Sequence, residues 1–276
     1  RSLGHNSKKT KFMLSTTAKD KPLGVQLLGC EPNFILRALD ILEKYEFDLL
    51  DFNAACPAKK VTRRGEGSSL LKEPKKLNQL LKLIVKNSSR PVSVKIRAGW
   101  DQDSLNAREA ALYAQDAGIS ALFIHGRTKA QGYSGTVDYP VIKSVKDALE
   151  IPVIASGDIL SAALAKKMFA ETGCDGLAVA RGSLGNPWIF KEIPAFIKDG
   201  KTLLRPDPQE VIRIMLEHLD MCADFYGEKI GVVIFRKFIA WYTRGFRKIR
   251  PLREKASRVK TKSEILKLSA DFLAAN

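Results

Sequence analysis

The sequence is poor in the residue patterns that build metal sites, disulfide frameworks and membrane spans. Its four cysteines lie at positions 30, 56, 174 and 222 without a CxxC pair, which disfavours zinc ribbons and dithiol redox centres. We therefore expect no bound metal. No run of about 18 apolar residues is present, which argues against a membrane-spanning helix. The basic N-terminal stretch lacks the apolar core of a signal peptide, so we expect a cytoplasmic protein with reduced thiols.

Acidic residues are scarce relative to basic ones. The 46 Lys and Arg against 30 Asp and Glu give a formal net charge of +16. This excess indicates a polyanionic partner, nucleic acid or a membrane surface, although a generally basic proteome would give the same balance. Between Arg236 and Lys262, eleven Lys or Arg residues are opposed only by Glu254, whereas a solvated helix face normally mixes both signs. Aromatic residues run through this basic stretch, which suits phosphate contact and base stacking or, equally, a helical core.

One pattern recurs from residue 22 to about 190: a short apolar strand, a loop with polar residues and an amphipathic helix. Apolar strands that alternate with helices predict a parallel sheet covered on both faces. The predicted strands are 22–28, 47–53, 91–97, 121–126, 151–156 and 176–181. The predicted helices lie near 32–45, 74–88, 104–117, 138–148, 161–171 and 187–197.

Polar residues stand at the ends of these strands, where a (β/α)8 barrel builds its active site. They are Gln26, Asn53, Lys95, His125, Ser156 and Arg181. A doubly wound sheet would place ligands at the same edge, but no GxGxxG motif follows any strand, which favours the barrel. Six βα units are visible, and the glycine-rich ends of the last two suit the phosphate site that follows strands seven and eight of a barrel. We therefore predict a TIM barrel that lacks its first two βα units.

The pattern changes to helical spacing after Pro206 and Pro208. Helices are predicted at 208–226, 229–244 and 263–274. We predict two domains, an N-terminally incomplete catalytic barrel over 1–200 and a small all-helical domain over 201–276 that carries the basic stretch.

The segment DFNAACPAKKVTRRGEGSSLL (51–71) is the most informative stretch of the sequence. Cys56 follows a strand end and precedes a proline, at the place where barrel enzymes do their chemistry. A small buried cysteine is the structural alternative. Cations follow at Lys59, Lys60, Arg63 and Arg64. Such charges favour a thiolate, hold a phosphate backbone or simply cover a solvated loop.

Two further strand ends and two glycine turns point to an anionic ligand. Lys95 should face the barrel mouth, where a buried ammonium needs an anionic partner such as a reduced flavin or a phosphate. His125 ends the next strand at the same mouth, although a lone histidine is more often structural. Gly157 and Gly182 offer backbone N–H groups to a phosphate and Arg181 a bidentate contact, although turns need glycine in any case.

Together these stretches resemble the tRNA-dihydrouridine synthase family, and its bacterial B-type branch in particular. The matching segments cover nearly the whole chain and are GVQLLG, DFNAACPAKKV, GSSLL, PVSVKIRAGW, HGRTKAQGYSG, IPVIASGDI, GCDGLAVARGSLGNPWIF and RKFIAWYTRGF. The usual Asn-Met-Gly-Cys-Pro of the family has two alanines here, at 54 and 55. Its Asn-Gly-Asp begins with Ser156 here, and its Gly-Arg with Ala180. The family's first-strand Pro-Met-Ala segment, which contacts the flavin, has no counterpart in this sequence.

The resemblance implies an FMN enzyme, reduced by NADPH, that acts on a uridine of tRNA extruded into the barrel mouth. It implies hydride transfer from reduced FMN to C6 of the base and protonation of C5 by Cys56 as a general acid. A thiol suits this role because thiols ordinarily keep their proton at neutral pH. With tRNA as the partner, we expect a monomer.

The residues assigned to this chemistry follow from the matching motifs. FMN binding is assigned to Gln26, Lys95, His125, Ser156, Gly157, Asp158, Ala180, Arg181 and Gly182. Substrate binding is assigned to Asn53, Lys59, Arg63, Arg127, Arg244, Arg247, Lys248 and Arg250, with Asn53 on the uracil edge or the flavin.

Two other functions stay open on the sequence. An FMN barrel reductase of a small molecule, of the dihydroorotate or enone type, fits the barrel but gives the basic helical domain no use. A non-catalytic RNA-binding relic would use the basic domain and would have lost the flavin site.

Overall fold

The computed structural model describes residues 8–17 and 19–274, so the predicted domain bounds at 1 and 276 lie outside the described residues. The chain divides into two compact units. The first comprises Arg1–Ile159 and Lys167–Val179, and the second comprises Leu160–Lys166 and Ala180–Asn276. None of the helices in the described residues has the length and apolar content that crossing a bilayer requires.

The first unit is built on one parallel sheet whose six strands follow chain order. The strands are β1 (Gly24–Leu27), β2 (Leu49–Asn53), β3 (Val92–Arg97), β4 (Ala121–His125), β5 (Val153–Ser156) and β6 (Gly176–Ala178). The helices before and between them are α1 (Lys8–Met13), α2 (Pro32–Leu42), α3 (Lys59–Thr62), α4 (Pro74–Lys86), α5 (Ala107–Asp116), α6 (Tyr139–Lys146) and α7 (Ala162–Thr172), of which residues 162–166 belong to the second unit. This arrangement confirms the predicted TIM-barrel-like α/β fold with six βα units.

The two faces of the sheet differ in polarity because side chains alternate along each strand. Leu50, Phe52, Val94, Ile96 and Ile124 point to one face and are at most 1% exposed. The residues that alternate with them along the strands, such as Asp51 and Lys95, point to the other face and carry the polar side chains. The buried apolar residues of α4 and α5 have the helical spacing that covers such a face.

The end of β6 differs from the prediction. The strand was expected to reach residue 181 but ends at Ala178, and a short 3-10 helix spans Arg181–Ser183. Ser183 donates both its backbone N–H and its hydroxyl to the carbonyl of Ala180, at 3.1 and 2.8 Å. This local turn takes the backbone groups that a strand would have paired with a neighbour.

The second unit contains α8 (Ile189–Asp199), α9 (Pro208–Tyr226), α10 (Glu228–Tyr242), α11 (Arg250–Ala256) and α12 (Lys262–Ala274). The N-terminus of α9 is fixed by neighbouring residues. The carboxylate of Asp207 accepts a hydrogen bond from the Glu210 N–H at 2.8 Å, and Pro208 occupies the first turn of the helix. A single apolar core holds α9, α10, α11 and α12 together, with Met215, Phe235 and Phe272 among its buried members. The predicted helical C-terminal part is thus confirmed.

Candidate active site

The polar residues of the first unit lie side by side on one face of the sheet because the strand register aligns them. Gln26 pairs with Asp51, and Asp51 pairs with Ser93. Two residues further along the strands, Asn53 pairs with Lys95. Next to them Arg97 pairs with His125, and His125 pairs with Ser156. These eight residues form what we call the polar face.

The loop that carries Cys56 is held from both its N–H groups and its carbonyls. The side-chain oxygen of Asn53 accepts from the backbone N–H of Ala55 and of Cys56, at 3.0 and 2.8 Å. Nε of Arg97 donates to the Ala55 carbonyl at 2.8 Å. Ser68 donates its N–H and its hydroxyl to the Cys56 carbonyl, at 3.1 and 3.0 Å. Cys56 is half-buried, and these bonds fix the backbone that carries its thiol.

Gly67 closes the other side of this loop at a φ of +61°. A Cβ at this position would lie 2.7 Å from the Cys56 carbonyl oxygen and 3.0 Å from the Cys56 Cβ. Both the backbone conformation and the close approach therefore require glycine.

A chain of side-chain hydrogen bonds runs from Asn53 to β3. Nδ2 of Asn53 donates to Oε1 of Gln26 at 2.7 Å, and Nε2 of Gln26 donates to one carboxylate oxygen of Asp51 at 2.6 Å. The hydroxyl of Ser93 donates to the other oxygen of Asp51 at 2.7 Å. We call this chain the amide relay. Burial raises the pKa of Asp51, and the bonds from Gln26 and Ser93 and the charge of Lys95 act against that rise.

Lys95 is held by a serine rather than by a carboxylate. Its Nζ donates to the hydroxyl of Ser156 at 3.1 Å, and that hydroxyl donates to the Ile124 carbonyl at 3.0 Å. Burial lowers the pKa of Lys95, while the charge of Asp51 raises it and that of Arg97 lowers it. An anion bound nearby would stabilise the ammonium form.

His125 is buried and neutral. Burial, followed by the charges of Arg97, Lys95 and Arg127, lowers its pKa from 6.5 to about 3. Its Nε2 atom is buried without a hydrogen-bond partner among the described residues. A buried ring nitrogen without a partner is a feature that a bound polar ligand can satisfy.

Arg127 is 2% exposed and organises the loop after β4. Its Nη2 contacts the carboxylate of Asp158 at 2.5 Å and donates to the Gly135 carbonyl at 2.6 Å. Its Nε donates to the Ser134 carbonyl at 3.0 Å. Only Nη1 lacks a partner among the described residues, so a contact of Arg127 with substrate would use that atom.

The profile of the family described as "Dihydrouridine synthase (Dus)" matches residues 1–276. The chain belongs to the dihydrouridine synthase family.

Its relatives include two proteins named tRNA-dihydrouridine synthase B. The one from Pasteurella multocida is 40% identical over 87% of this chain and 72% of its own length. The one from Vibrio parahaemolyticus is 43% identical over 79% of this chain and 68% of its own length. A probable tRNA-dihydrouridine synthase of Rickettsia conorii is 41% identical over 80% of this chain and 67% of its own length. The resemblance stated from the motifs, including its B-type branch, is confirmed.

In this dihydrouridine synthase family member, the cations after Cys56 divide into two groups. Lys59 and Arg63 are exposed on and just after α3, where they stay available to a substrate. Lys60 is exposed as well, whereas Arg64, although also exposed, pairs with Glu66 at 2.6 Å. The described residues contain no group of three or more His, Cys, Asp or Glu side chains placed to hold a metal ion.

Residues 180–182, predicted to bind the flavin phosphate, lie in the second unit. Ala180 and Gly182 take part in the 3-10 turn at the start of the segment Ala180–Asn276, and the side chain of Arg181 is exposed. In the first unit, Gly157 has a φ of +121°, and a Cβ there would lie 3.2 Å from His125 Nε2. Asp158 is engaged by Arg127.

The basic stretch resolves into structural and exposed cations. Arg236 donates to the Val259 carbonyl, and Arg253 donates to the Ala240 carbonyl at 3.2 Å. The four residues predicted to grip the substrate are all exposed, and they are Arg244, Arg247, Lys248 and Arg250. Arg250 also pairs with Glu254 at 2.7 Å on the surface.

Four of the five aromatic residues of this stretch belong to the helical core or pack against it. Phe235 and Tyr242 are buried in the core, and Phe238, Trp241 and Phe246 are at least partly covered. Phe238 and Phe246 pack against that core. Of the two readings of the aromatics, core packing is therefore the one the structure supports.

Three polar residues of the site were not predicted from the sequence. Asp51, Ser93 and Arg97 lie inside or at the end of apolar strands, each two positions from a residue that was predicted. The period-2 alternation of strands places each on the same face as Asn53 or Lys95. That spacing is the signal that would have found them.

Proposed function

We propose that this protein reduces a uridine of tRNA to 5,6-dihydrouridine, with FMN as cofactor and NADPH as reductant. The observation that carries the proposal is the position of Cys56, which Asn53, Arg97 and Ser68 hold beside the polar face. Membership in the dihydrouridine synthase family and the names of the relatives support the same reaction.

The residues of the polar face fit a flavin. The unpartnered Nε2 of His125 can meet a polar ring atom, and Lys95 offers an ammonium whose pKa burial lowers. Lys95, Arg97 and Arg127 outnumber the carboxylates of Asp51 and Asp158, so the site favours a ligand that carries negative charge. Bound FMN would supply the hydride that C6 of the base receives.

The proton has a defined source and route. Sγ of Cys56 gives its proton to C5 of the uracil, the C5–C6 double bond becomes a single bond, and the resulting thiolate regains a proton from water. Asn53 uses both acceptor sites of its side-chain oxygen on the Cys56 loop. Its second Nδ2 hydrogen is therefore the group that it presents to a uracil carbonyl or to the flavin.

The exposed cations supply the grip on the RNA. Arg244, Arg247, Lys248 and Arg250 in the second unit and Lys59 and Arg63 near Cys56 can contact phosphates. Neither a small-molecule substrate nor a non-catalytic role would require both this basic surface and a held cysteine at the strand ends.

The substitution Cys56→Ala tests the proposal. Loss of the general acid should lower dihydrouridine formation by roughly two to four orders of magnitude, measured as the modified nucleoside in digested tRNA. Reduction of the flavin by NADPH should continue, because that half-reaction does not involve the base.

Cys222→Ala is the matched control, since Cys222 is a buried cysteine in the core of the second unit. It should retain turnover on tRNA. Full activity of folded Cys56→Ala would refute the acid role. Activity of the parent on a small molecule but not on tRNA would favour the reductase alternative.

A further inference from the structure

Along the amide relay every hydrogen bond has a fixed donor and a fixed acceptor, and the groups at its two ends determine which side of each amide donates. At one end are the backbone N–H groups of Ala55 and Cys56, which can only donate. Asn53 must therefore turn its oxygen to the loop and its NH2 group to Gln26. Gln26 must then accept with its oxygen and turn its own NH2 group to Asp51. An ionised carboxylate, which can only accept, is the matching end of this chain.

We propose that Asp51 is a positioning residue that fixes the orientation of both amides and, through them, the place of Cys56. Asp51 does not touch the reacting base in this scheme. It acts through Gln26 and Asn53, and the consequence for turnover rests on the proposed role of Cys56 as the acid.

The need for such a residue follows from the symmetry of an amide. The oxygen and NH2 group of Gln26 have nearly the same shape, and Gln26 is exposed, so packing alone does not select one orientation. If Gln26 turned over, it would offer a donor to the donor of Asn53. Asn53 would turn in response and present NH2 to the N–H groups of Ala55 and Cys56, which would lose their acceptor.

The neighbours of Asp51 act against the rise of its pKa that burial causes, and so favour the accepting carboxylate. Ser93 is fully buried and donates to the carboxylate oxygen that Gln26 leaves free. Lys95 adds a favourable positive charge. The register pairs Asp51 with Gln26 on one side and Ser93 on the other, so the strands deliver both partners at the same level of the sheet.

Two substitutions at Asp51 distinguish the loss of the hydrogen-bond acceptor from the loss of the negative charge. Asp51→Leu removes the acceptor with little change of size. Asp51→Asn removes the charge but can keep the direction, because its oxygen can accept from Gln26 while its NH2 group donates to the hydroxyl of Ser93. Ser144→Ala is the control, since it removes a hydroxyl outside the polar face, one that donates to the Val141 carbonyl at 2.8 Å within its own helix.

The direct readout is amide hydrogen exchange of the flavin-loaded protein, followed by mass spectrometry of peptides that contain Ala55 and Cys56. Asp51→Leu should speed exchange of these two amides by about tenfold, as the loss of their acceptor implies. Single-turnover reduction of tRNA by the pre-reduced protein should slow by up to about a hundredfold through misplacement of Cys56. Asp51→Asn and Ser144→Ala should stay close to the parent in both measurements.

Each outcome decides the proposal. Parent-like exchange in Asp51→Leu overturns it, and so does an Asp51→Asn protein that is as impaired as Asp51→Leu, because charge and not direction would then matter. If Asp51→Leu does not fold, Gln26→Leu breaks the relay at its centre, and unchanged exchange of Ala55 and Cys56 in that protein overturns the idea. If the parent makes no dihydrouridine, the proposed function fails, while the exchange comparison still judges the relay.

Discussion

Among the single residues of the site, His125 combines burial with a position beside three cations. Its pKa falls from 6.5 in the open chain to about 3 in the folded protein. Between these values the unfolded chain binds a proton at this position and the folded chain does not. The free energy of unfolding should therefore fall as the pH is lowered from about 6.5, by at most about 1.4 kcal/mol per pH unit from this residue.

Urea unfolding at pH 7, 5.5 and 4 measures this dependence. His125→Gln removes the titration and should flatten the decline in this range. His218→Gln is the comparison in the second unit, where burial also lowers the pKa of the histidine. If His125→Gln keeps the slope of the parent, His125 is not the residue that resists protonation.

The sequence singled out polar residues near predicted strand ends, since chain order alone marks a strand end. Cys56, Lys95 and His125 were predicted in this way, although Arg97, the last residue of β3, was missed. Asp51 and Ser93 were not predicted, because their importance depends on which residue lies opposite on the neighbouring strand. Such partners are separated by more than twenty residues in sequence, and only the register of the folded sheet identifies them.

A 3-10 helix, Gly67–Lys72, follows the Cys56 loop, and its first residue lies directly against that loop. Gly67→Ala would place a Cβ 2.7 Å from the Cys56 carbonyl oxygen and 3.0 Å from a methyl carbon of Val61. The loop would have to shift, which moves Cys56. We expect a lower rate of tRNA reduction and a loss of stability of roughly 1–3 kcal/mol beyond the backbone strain itself.

Gly173→Ala is the control, because it introduces the same kind of backbone strain without a close contact of the new Cβ. Gly173 has a φ of +67°, and a Cβ there would have no neighbour within 4 Å. The difference in chemical unfolding between the two variants therefore isolates the close approach at Gly67. Equal stability and equal turnover in both variants would show that the loop accommodates the methyl group.

The elements with strong local signals were predicted well. Helix α9 runs from Pro208 to Tyr226, the bounds predicted from the helical spacing after the two prolines. The short elements α3 and α11 and the 3-10 helix at Gly67–Lys72 were not predicted. Helices this short have little intrinsic stability, so contacts with the rest of the unit decide whether they form.

At the scale of the whole molecule, the distribution of charge is the feature that bears on the choice of substrate. Four exposed cations of the second unit would contact RNA phosphates with release of counterions. Their replacement by glutamine should weaken tRNA binding and flatten its salt dependence, with about 0.7–0.9 lost from the logarithmic slope per phosphate contact. The residues changed are Arg244, Arg247, Lys248 and Arg250.

The control removes the same number of charges from α4 and the end of α2 in the first unit. The exposed lysines changed there are Lys44, Lys75, Lys82 and Lys86. A salt titration of tRNA binding, with flavin content and melting temperature checked for each protein, compares the two sets. An equal loss of affinity in both would mean that net charge alone attracts the RNA and that the second unit provides no specific grip.

The guanidinium of Arg97 also links the Cys56 loop to the loop after β4, so that the two should move together. Its Nε donates to the Ala55 carbonyl, and its Nη1 donates to the carbonyls of Thr128 and Gly132 at 3.0 and 2.9 Å. Neither loop can swing away from the sheet on its own unless a buried cation loses its acceptors. Opening and closing of this side of the site should therefore be concerted, with a single relaxation time for both loops, and Arg97→Lys, which cannot span the three carbonyls, should split it into two.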